Sequence, residues 1–325
     1  MRISNSAIPI GSIVVVVGAN GYMAVETCEK LLQAGFSVRG TVRDVEKNQH
    51  WMHNLFDTKW PHMFELVHVP DFEAEGAFDE AFKGAKGVIY VSTPIILNSD
   101  SAKVVEPVIK GTINSLEAAA RAGVKRSVLS SSSKAVEPTN YNHPHHITSS
   151  IINYDAIRKA CCEPNVESLD RTFTVPVERW RNWRSGLPDG QFGRALDPEN
   201  TASTFHMLKA AAEGEWDKVF GQVACYTDVQ DTARLLVTAV ALPSLVNERI
   251  FAYCHNSTWN ELRCKIRDIS PKGEKLVKGE DQAVEGRDLS NAQELIRRAD
   301  GILREVGQQG FVSEDGILRD FLDCL

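Results

Sequence analysis

The stretch Ile13-Val14-Val15-Val16-Val17-Gly18-Ala19-Asn20-Gly21-Tyr22-Met23-Ala24 decides the fold. Five consecutive β-branched residues fit a strand buried on both faces, and a glycine-rich turn follows at once. Beyond the turn, Val25, Cys28, Leu31 and Leu32 recur at helical spacing until Gly35 supplies a left-handed stop. Strand, tight turn and helix are the parts of a dinucleotide cradle. Glycines let the backbone approach a pyrophosphate, and the helix N-terminus offers unpaired N–H groups and a positive dipole end. The spacing is Gly-x-x-Gly-x-x-Ala, a variant of the commoner Gly-x-Gly-x-x-Gly.

The next strand is expected over Phe36–Val42 and ends in Thr41-Val42-Arg43-Asp44. An acidic side chain at this strand tip bonds the 2′-hydroxyl of NAD, whereas a cation accommodates the 2′-phosphate of NADP. Val42 occupies the usual acidic position, with Arg43 beside it and Lys47 one turn on, which favours NADP(H). Further strands are expected at Phe64–Val69, Val88–Val91 and Val124–Leu129. Between them, helices are expected at Ala77–Phe82 and roughly Ala102–Ala122, the latter stopped by Gly123. This alternation predicts βαβ units, hence a Rossmann-type, doubly wound parallel α/β sheet. Ligands on such sheets lie beyond the carboxyl ends of the strands, where Gly18, Arg43, Asp71, Thr93 and Ser132 all fall.

The later chain is expected to hold a helix over Ile151–Cys162, a turn-rich loop over Leu187–Gly193 and a helix over Thr201–Ala212. A strand near Val219–Cys225, a helix opening at Asp228 or Asp231 and a buried strand at Arg249–Tyr253 complete the expectation. Residues 1–186 would form the dinucleotide-binding domain. Residues 187–325 would form a smaller substrate-covering lobe, with parts near 219–256 returning to the sheet.

Composition narrows the function. Within 325 residues, 43% apolar and 24% charged content are ordinary globular values, and a net charge of −7 offers no footprint for nucleic acid. The aromatic–cation alternation Arg179–Arg184 is read as local packing rather than base stacking. No apolar run is long enough to span a membrane, and the first residues lack a secretory pattern. Seven scattered cysteines, the adjacent Cys161 and Cys162 among them, fit reduced thiols in a cytoplasmic protein. His143-Pro144-His145-His146 lacks partners to complete a metal set, so no metal is expected.

Together these stretches resemble the extended short-chain dehydrogenase/reductases, in the branch of dihydroflavonol reductases and aldehyde (carbonyl) reductases, within the NAD-dependent epimerase/dehydratase superfamily. The resemblance runs through Gly18–Ala24, Val38–Asp44, Val88–Pro94 and Lys110-Gly111-Thr112. It continues through Val124-Lys125-Arg126 into the serine run, Leu187–Asn200, Tyr226–Ala233 and Gly286–Ser290. It implies an NADPH-dependent reductase of a small-molecule aldehyde or ketone and leaves the oligomeric state open. The implied cofactor contacts are Gly18, Asn20, Gly21, Tyr22, Met23, Arg43, Lys47, Asp71, Phe72, Ser92, Thr93 and Pro94.

The family catalyses with a serine, matched by Ser132, and a Tyr-x-x-x-Lys pair whose four-residue spacing puts both groups on one helix face. The lysine's charge lowers the phenol pKa. None of the six tyrosines here is followed four residues on by lysine. Tyr154 comes nearest, with Arg158 at that position and Lys159 turned away. The segment that should carry the catalytic helix, 165–186, holds neither tyrosine nor lysine and looks shortened. Three outcomes stay open: a reductase with impaired or rerouted chemistry, a nucleotide-binding pseudoenzyme or redox-neutral isomerase or cyclase, and a mis-spliced or degenerate gene product.

Overall fold

The computed structural model describes residues 1–92, 101–136, 141–154, 183–197, 203–223 and 225–325. In chain order the first strands are β1 (Ile13–Val17), β2 (Ser37–Val42), β3 (Phe64–His68), β4 (Gly87–Tyr90) and β5 (Arg126–Ser130). They are followed by β6 (His145–His146), β7 (Trp183–Pro188), β8 (Gly190–Phe192), β9 (Tyr226–Asp228), β10 (Arg249–Ala252) and β11 (Ser290–Asn291). The described helices of the first half are α1 (Tyr22–Gln33), α2 (Val45–Phe56) and α3 (Ser101–Arg121). Those of the second half are α4 (Ser203–Glu213), α5 (Val229–Ala241), α6 (Trp259–Ile269), α7 (Pro271–Leu276), α8 (Gln293–Glu305) and α9 (Glu314–Asp323).

Seven strands form one parallel sheet in the order β10-β7-β5-β4-β1-β2-β3. The direction of winding reverses between β1 and β4, which opens a crevice above their carboxyl ends. β1 is buried on both faces, as its unbroken valines require. Val14 and Val16 join the cluster that includes Leu31, Leu32, Leu236 and Val240 of α1 and α5, whereas Val15 and Val17 join Phe78, Phe82 and Ala118 on the other face. A third cluster, with Phe192, Phe205, Trp259 and Phe321, ties β8, α4, α6 and α9 together and reaches Tyr22 at the start of α1.

Several sequence expectations are corrected. Ala77–Phe82 forms successive turns, not a helix: Gly76 (φ 74°) and Gly84 (φ 73°) bracket a segment too short to repay nucleation. Phe78 and Phe82 still stack there, ring centroids 5.2 Å apart. Ile151–Asn153 is non-helical because Asn153 donates its backbone N–H to Ala135 and its side-chain amide to Lys134, both at carbonyl oxygens. The rest of that expected helix, from residue 155 on, lies outside the described residues. Near Val219–Cys225, Gly221 (φ 75°) interrupts the chain and the strand begins only at Tyr226. The loop expected over Leu187–Gly193 is instead the end of β7, then Asp189, then β8. Helix α2 was not among the expected elements; Asp44 caps it by accepting from the Lys47 N–H, and Asn48, Met52 and Phe56 supply one buried stripe.

Candidate functional site

A cavity of about 640 Å³ lies at the carboxyl ends of β1, β2, β4 and β5. Its floor is the turn Gly18–Gly21. Gly18 has φ 78°, and a Cβ there would come within 2.9 Å of the Ser92 Cβ, so glycine is required both by conformation and by the closeness of the segment after β4. Gly21 is the N-cap residue of α1 and no side chain caps that helix, which leaves the first-turn amides of Tyr22, Met23 and Ala24 facing the cavity. Thr41 steadies the turn by accepting from the Gly18 N–H at 3.2 Å through its hydroxyl oxygen.

Of the residues expected to meet a cofactor, Gly18, Asn20, Gly21, Tyr22, Met23, Arg43, Phe72 and Ser92 line this cavity. Arg43 is exposed, and no ion pair engages its side chain among the described residues. Lys47 is exposed on the first turn of α2 and lies outside the lining. Asp71 also lies outside it; its Oδ1 accepts from the Glu73 N–H at 2.8 Å and closes its own turn. Thr93 and Pro94 lie outside the described residues. Phe72 is held by the Asn114 amide of α3, which donates to the carbonyls of Phe72 at 3.0 Å and Ala74 at 3.1 Å.

The helix carrying the cradle is latched from behind. Arg194, just past β8, forks onto the buried carboxylate of Glu26 at 2.6 and 2.8 Å and also pairs with Glu29, while Lys30 bonds Glu29 at 2.8 Å. Two acids and two bases thus balance inside the protein. Burial pushes the Glu29 carboxyl up, but Lys30 and Arg194 hold it below the ordinary carboxylate value.

The far end of the cavity is lined by Ser130, Ser131, Gln191 and Thr204. Gln191 donates its amide to the Gly190 carbonyl at 3.0 Å, and its Oε1 is buried without a partner. The two expected catalytic residues behave differently. Ser132 follows β5 and caps a 3-10 turn, its hydroxyl oxygen accepting from the Lys134 N–H at 3.3 Å; it flanks the cavity residues without lining the cavity. Tyr154 is 63% exposed and is not among the residues lining this cavity, while Arg158 and Lys159 lie outside the described residues. The sequence reading passed over a pair at this end. The Lys134 Nζ stands 3.8 Å from the Asp189 Oδ2, and both side chains are largely buried. Burial pushes the Asp189 carboxyl above the ordinary carboxylate range, and Asp288 adds to that; the Lys134 charge and the Ser133 hydroxyl pull the other way. Asp189 was hidden in a segment expected to be an unstructured turn, and only the strand on either side of it would have revealed its position.

Among the described residues no group of three or more histidine, cysteine or acidic side chains is arranged to hold a metal ion, and no helix is long and apolar enough to cross a membrane.

A model described as the 3-beta hydroxysteroid dehydrogenase/isomerase family matches residues 15–161. The chain is 28% identical to aldehyde reductase 2 of Sporidiobolus salmonicolor, covering 99% of this chain and 98% of that protein. It is 31% identical to the ketoreductase adrE of Penicillium roqueforti, covering 97% and 98%. The first of these alignments spans 342 positions, more than the 325 residues of this chain, so that relative carries residues this chain lacks. Among solved structures, Gre2 from Candida albicans in complex with NADPH superposes with a TM-score of 0.78 at 20% identity, covering 97% of this chain and 98% of that one; this likeness is one of fold.

Proposed function

Because the chain belongs to the extended short-chain dehydrogenase/reductase family, we propose that it binds NADP(H) in the cavity above β1, β2, β4 and β5 and reduces a small aldehyde or ketone there. The observation that carries this proposal is the convergence of the Gly18–Gly21 turn, the uncapped start of α1 and the Arg43 side chain on one cavity.

The residues present fit the dinucleotide. The turn has no Cβ at the two places where a pyrophosphate would touch backbone, and the α1 amides provide the anion site. Arg43 stands at the tip of β2 as the cation for a 2′-phosphate, and Val42 offers no carboxylate to repel it. Phe72 supplies an apolar wall, fixed from behind by Asn114. When bound, the nicotinamide supplies hydride to the carbonyl carbon. The chain's own part is to orient that carbonyl and protonate its oxygen. The Ser132 hydroxyl accepts from a backbone amide, which leaves its own proton free to donate toward a substrate oxygen. Loss of a general acid costs typically about 10²–10⁴-fold, so turnover is expected to be slow beside that of a reductase with the full Tyr-x-x-x-Lys pair.

The exposure of Tyr154 favours a second reading, in which the cavity holds a nucleotide without net redox chemistry, as a pseudoenzyme or a redox-neutral isomerase or cyclase. NADPH absorbance followed across a panel of aldehydes and ketones separates the two. Carbonyl-dependent loss of NADPH supports the reductase. Saturable NADPH binding with no such loss supports the second reading, and absence of binding refutes both.

A further inference from the structure

Resting on the NADP(H) site proposed above, we infer that His68, at the end of β3, is a positioning residue that sharpens the preference for NADP(H) by holding the backbone of Arg43.

The placement follows from the sheet. β2 and β3 are parallel neighbours, and Val42 opposite His68 is the last pair of their register. Just beyond it, the Val69 N–H donates to the Val42 carbonyl at 2.9 Å. The next carbonyl, that of Arg43, falls in the gap between the end of β2 and the start of α2 at Val45. An acceptor in such a gap is left to side chains or water. His68 takes it, with its Nε2 at 3.1 Å from the Arg43 carbonyl oxygen. A carbonyl oxygen only accepts, so Nε2 carries the proton and donates.

The following residue is held as well. The Asn48 side-chain amide donates to the Asp44 carbonyl at 2.7 Å, and the Asp44 Oδ1 accepts from the Lys47 N–H at 2.9 Å. The peptide that joins Arg43 to Asp44 is thus fixed from two sides, by β3 and by α2. None of these bonds uses the Arg43 side chain, which lines the cavity.

The consequence for binding follows from the length of arginine. A guanidinium on a long side chain has many rotamers, and ordering it on an anion costs entropy. Fixing the main chain beneath it removes part of that cost before the ligand arrives. The 2′-phosphate is the one group that distinguishes NADPH from NADH, so an anchor acting on Arg43 favours one nucleotide only. The pyrophosphate turn is held separately, by the Thr41 hydroxyl at the Gly18 N–H. His68 is exposed and is not among the residues lining the cavity, so its influence passes through Arg43.

The test uses the full-length protein in fluorescence titrations with NADPH and, separately, with NADH. His68→Phe keeps a flat ring and removes the donor, whereas His68→Gln keeps an amide donor at similar reach. His68→Phe should raise the NADPH Kd by about three- to tenfold, the range for one lost hydrogen bond, and leave the NADH Kd unchanged. His68→Gln should stay within about twofold of wild type, since its amide can make the same bond. In an Arg43→Ala background, His68→Phe should change the binding of neither nucleotide, which marks the two residues as coupled. Unaltered NADPH binding in His68→Phe, or an equal loss for NADH as a merely structural role would give, overturns the assignment and leaves the cofactor site standing. So does a loss in His68→Gln as large as in His68→Phe, or a loss that persists without Arg43. A wild type that binds no NADPH, or binds NADH as tightly, overturns the NADP(H) site itself and the role of His68 with it.

Discussion

The crevice above the sheet has two flanks, built to different standards. On the β1–β2 side, a strand buried on both faces feeds a turn with a left-handed Gly18, a helix start without a cap, and Arg43 at the next strand tip. Behind it the Glu26–Glu29–Lys30–Arg194 cluster fixes α1. On the β5–β7 side, the serine run is in place, but the tyrosine nearest to the family's pattern is exposed, and a buried Lys134–Asp189 pair stands at the next strand end. The contrast separates two tasks. Holding a dinucleotide relies on backbone shape and a few contacts distributed over early elements, whereas proton transfer relies on single side chains whose loss leaves the fold intact.

Breaking the first flank should have the largest effect. Arg194→Met leaves Glu26 buried with only Lys30 nearby, at 3.4 Å. About 3 kcal/mol of stability should be lost in urea unfolding, the low end for a broken buried pair because Arg194 keeps contact with water. Gly18→Ala forces a side chain into a left-handed conformation, at about 1–2 kcal/mol, and against Ser92; the NADPH Kd should rise by more than about tenfold, a difference of 1.4 kcal/mol. Arg43→Glu should weaken NADPH by about tenfold, equivalent to 1.4 kcal/mol, and leave NADH nearly unchanged; equal losses for both nucleotides would show that Arg43 does not meet a 2′-phosphate. The smallest effect belongs to the second flank. Tyr154→Phe should leave carbonyl-dependent NADPH oxidation within about twofold of wild type, whereas a general acid there would cost 10²-fold or more; a loss of that size would return Tyr154 to the mechanism.

The first flank was legible because its signals are local. Val14–Val17, Gly18, Gly35 and the Arg43 position each report on their immediate neighbourhood, and the order of βαβ units does the rest. Strand β7 was not legible. Trp183-Arg184-Ser185-Gly186-Leu187-Pro188 has neither alternation nor a β-branched run, and it is a strand because β5 and β10 pair with it on either side. Helix α2 was missed for a related reason: its buried stripe is a single residue wide, and its Asn48 and polar neighbours read as loop. Asp71 sits at the expected strand end, and only the structure shows that one of its carboxylate oxygens closes a turn by accepting from the Glu73 N–H. Asp189 and Lys134 lie 55 residues apart in sequence, and only the parallel pairing of β5 with β7 makes them neighbours.

The most direct test of the central claim, a nucleotide lying across Gly18 and Arg43, is a fluorescence titration of the wild-type protein with NADPH and, separately, with NADH. Saturable binding that is at least about tenfold tighter for NADPH, or 1.4 kcal/mol, is the predicted result. No binding of either nucleotide, or tighter binding of NADH, would contradict it.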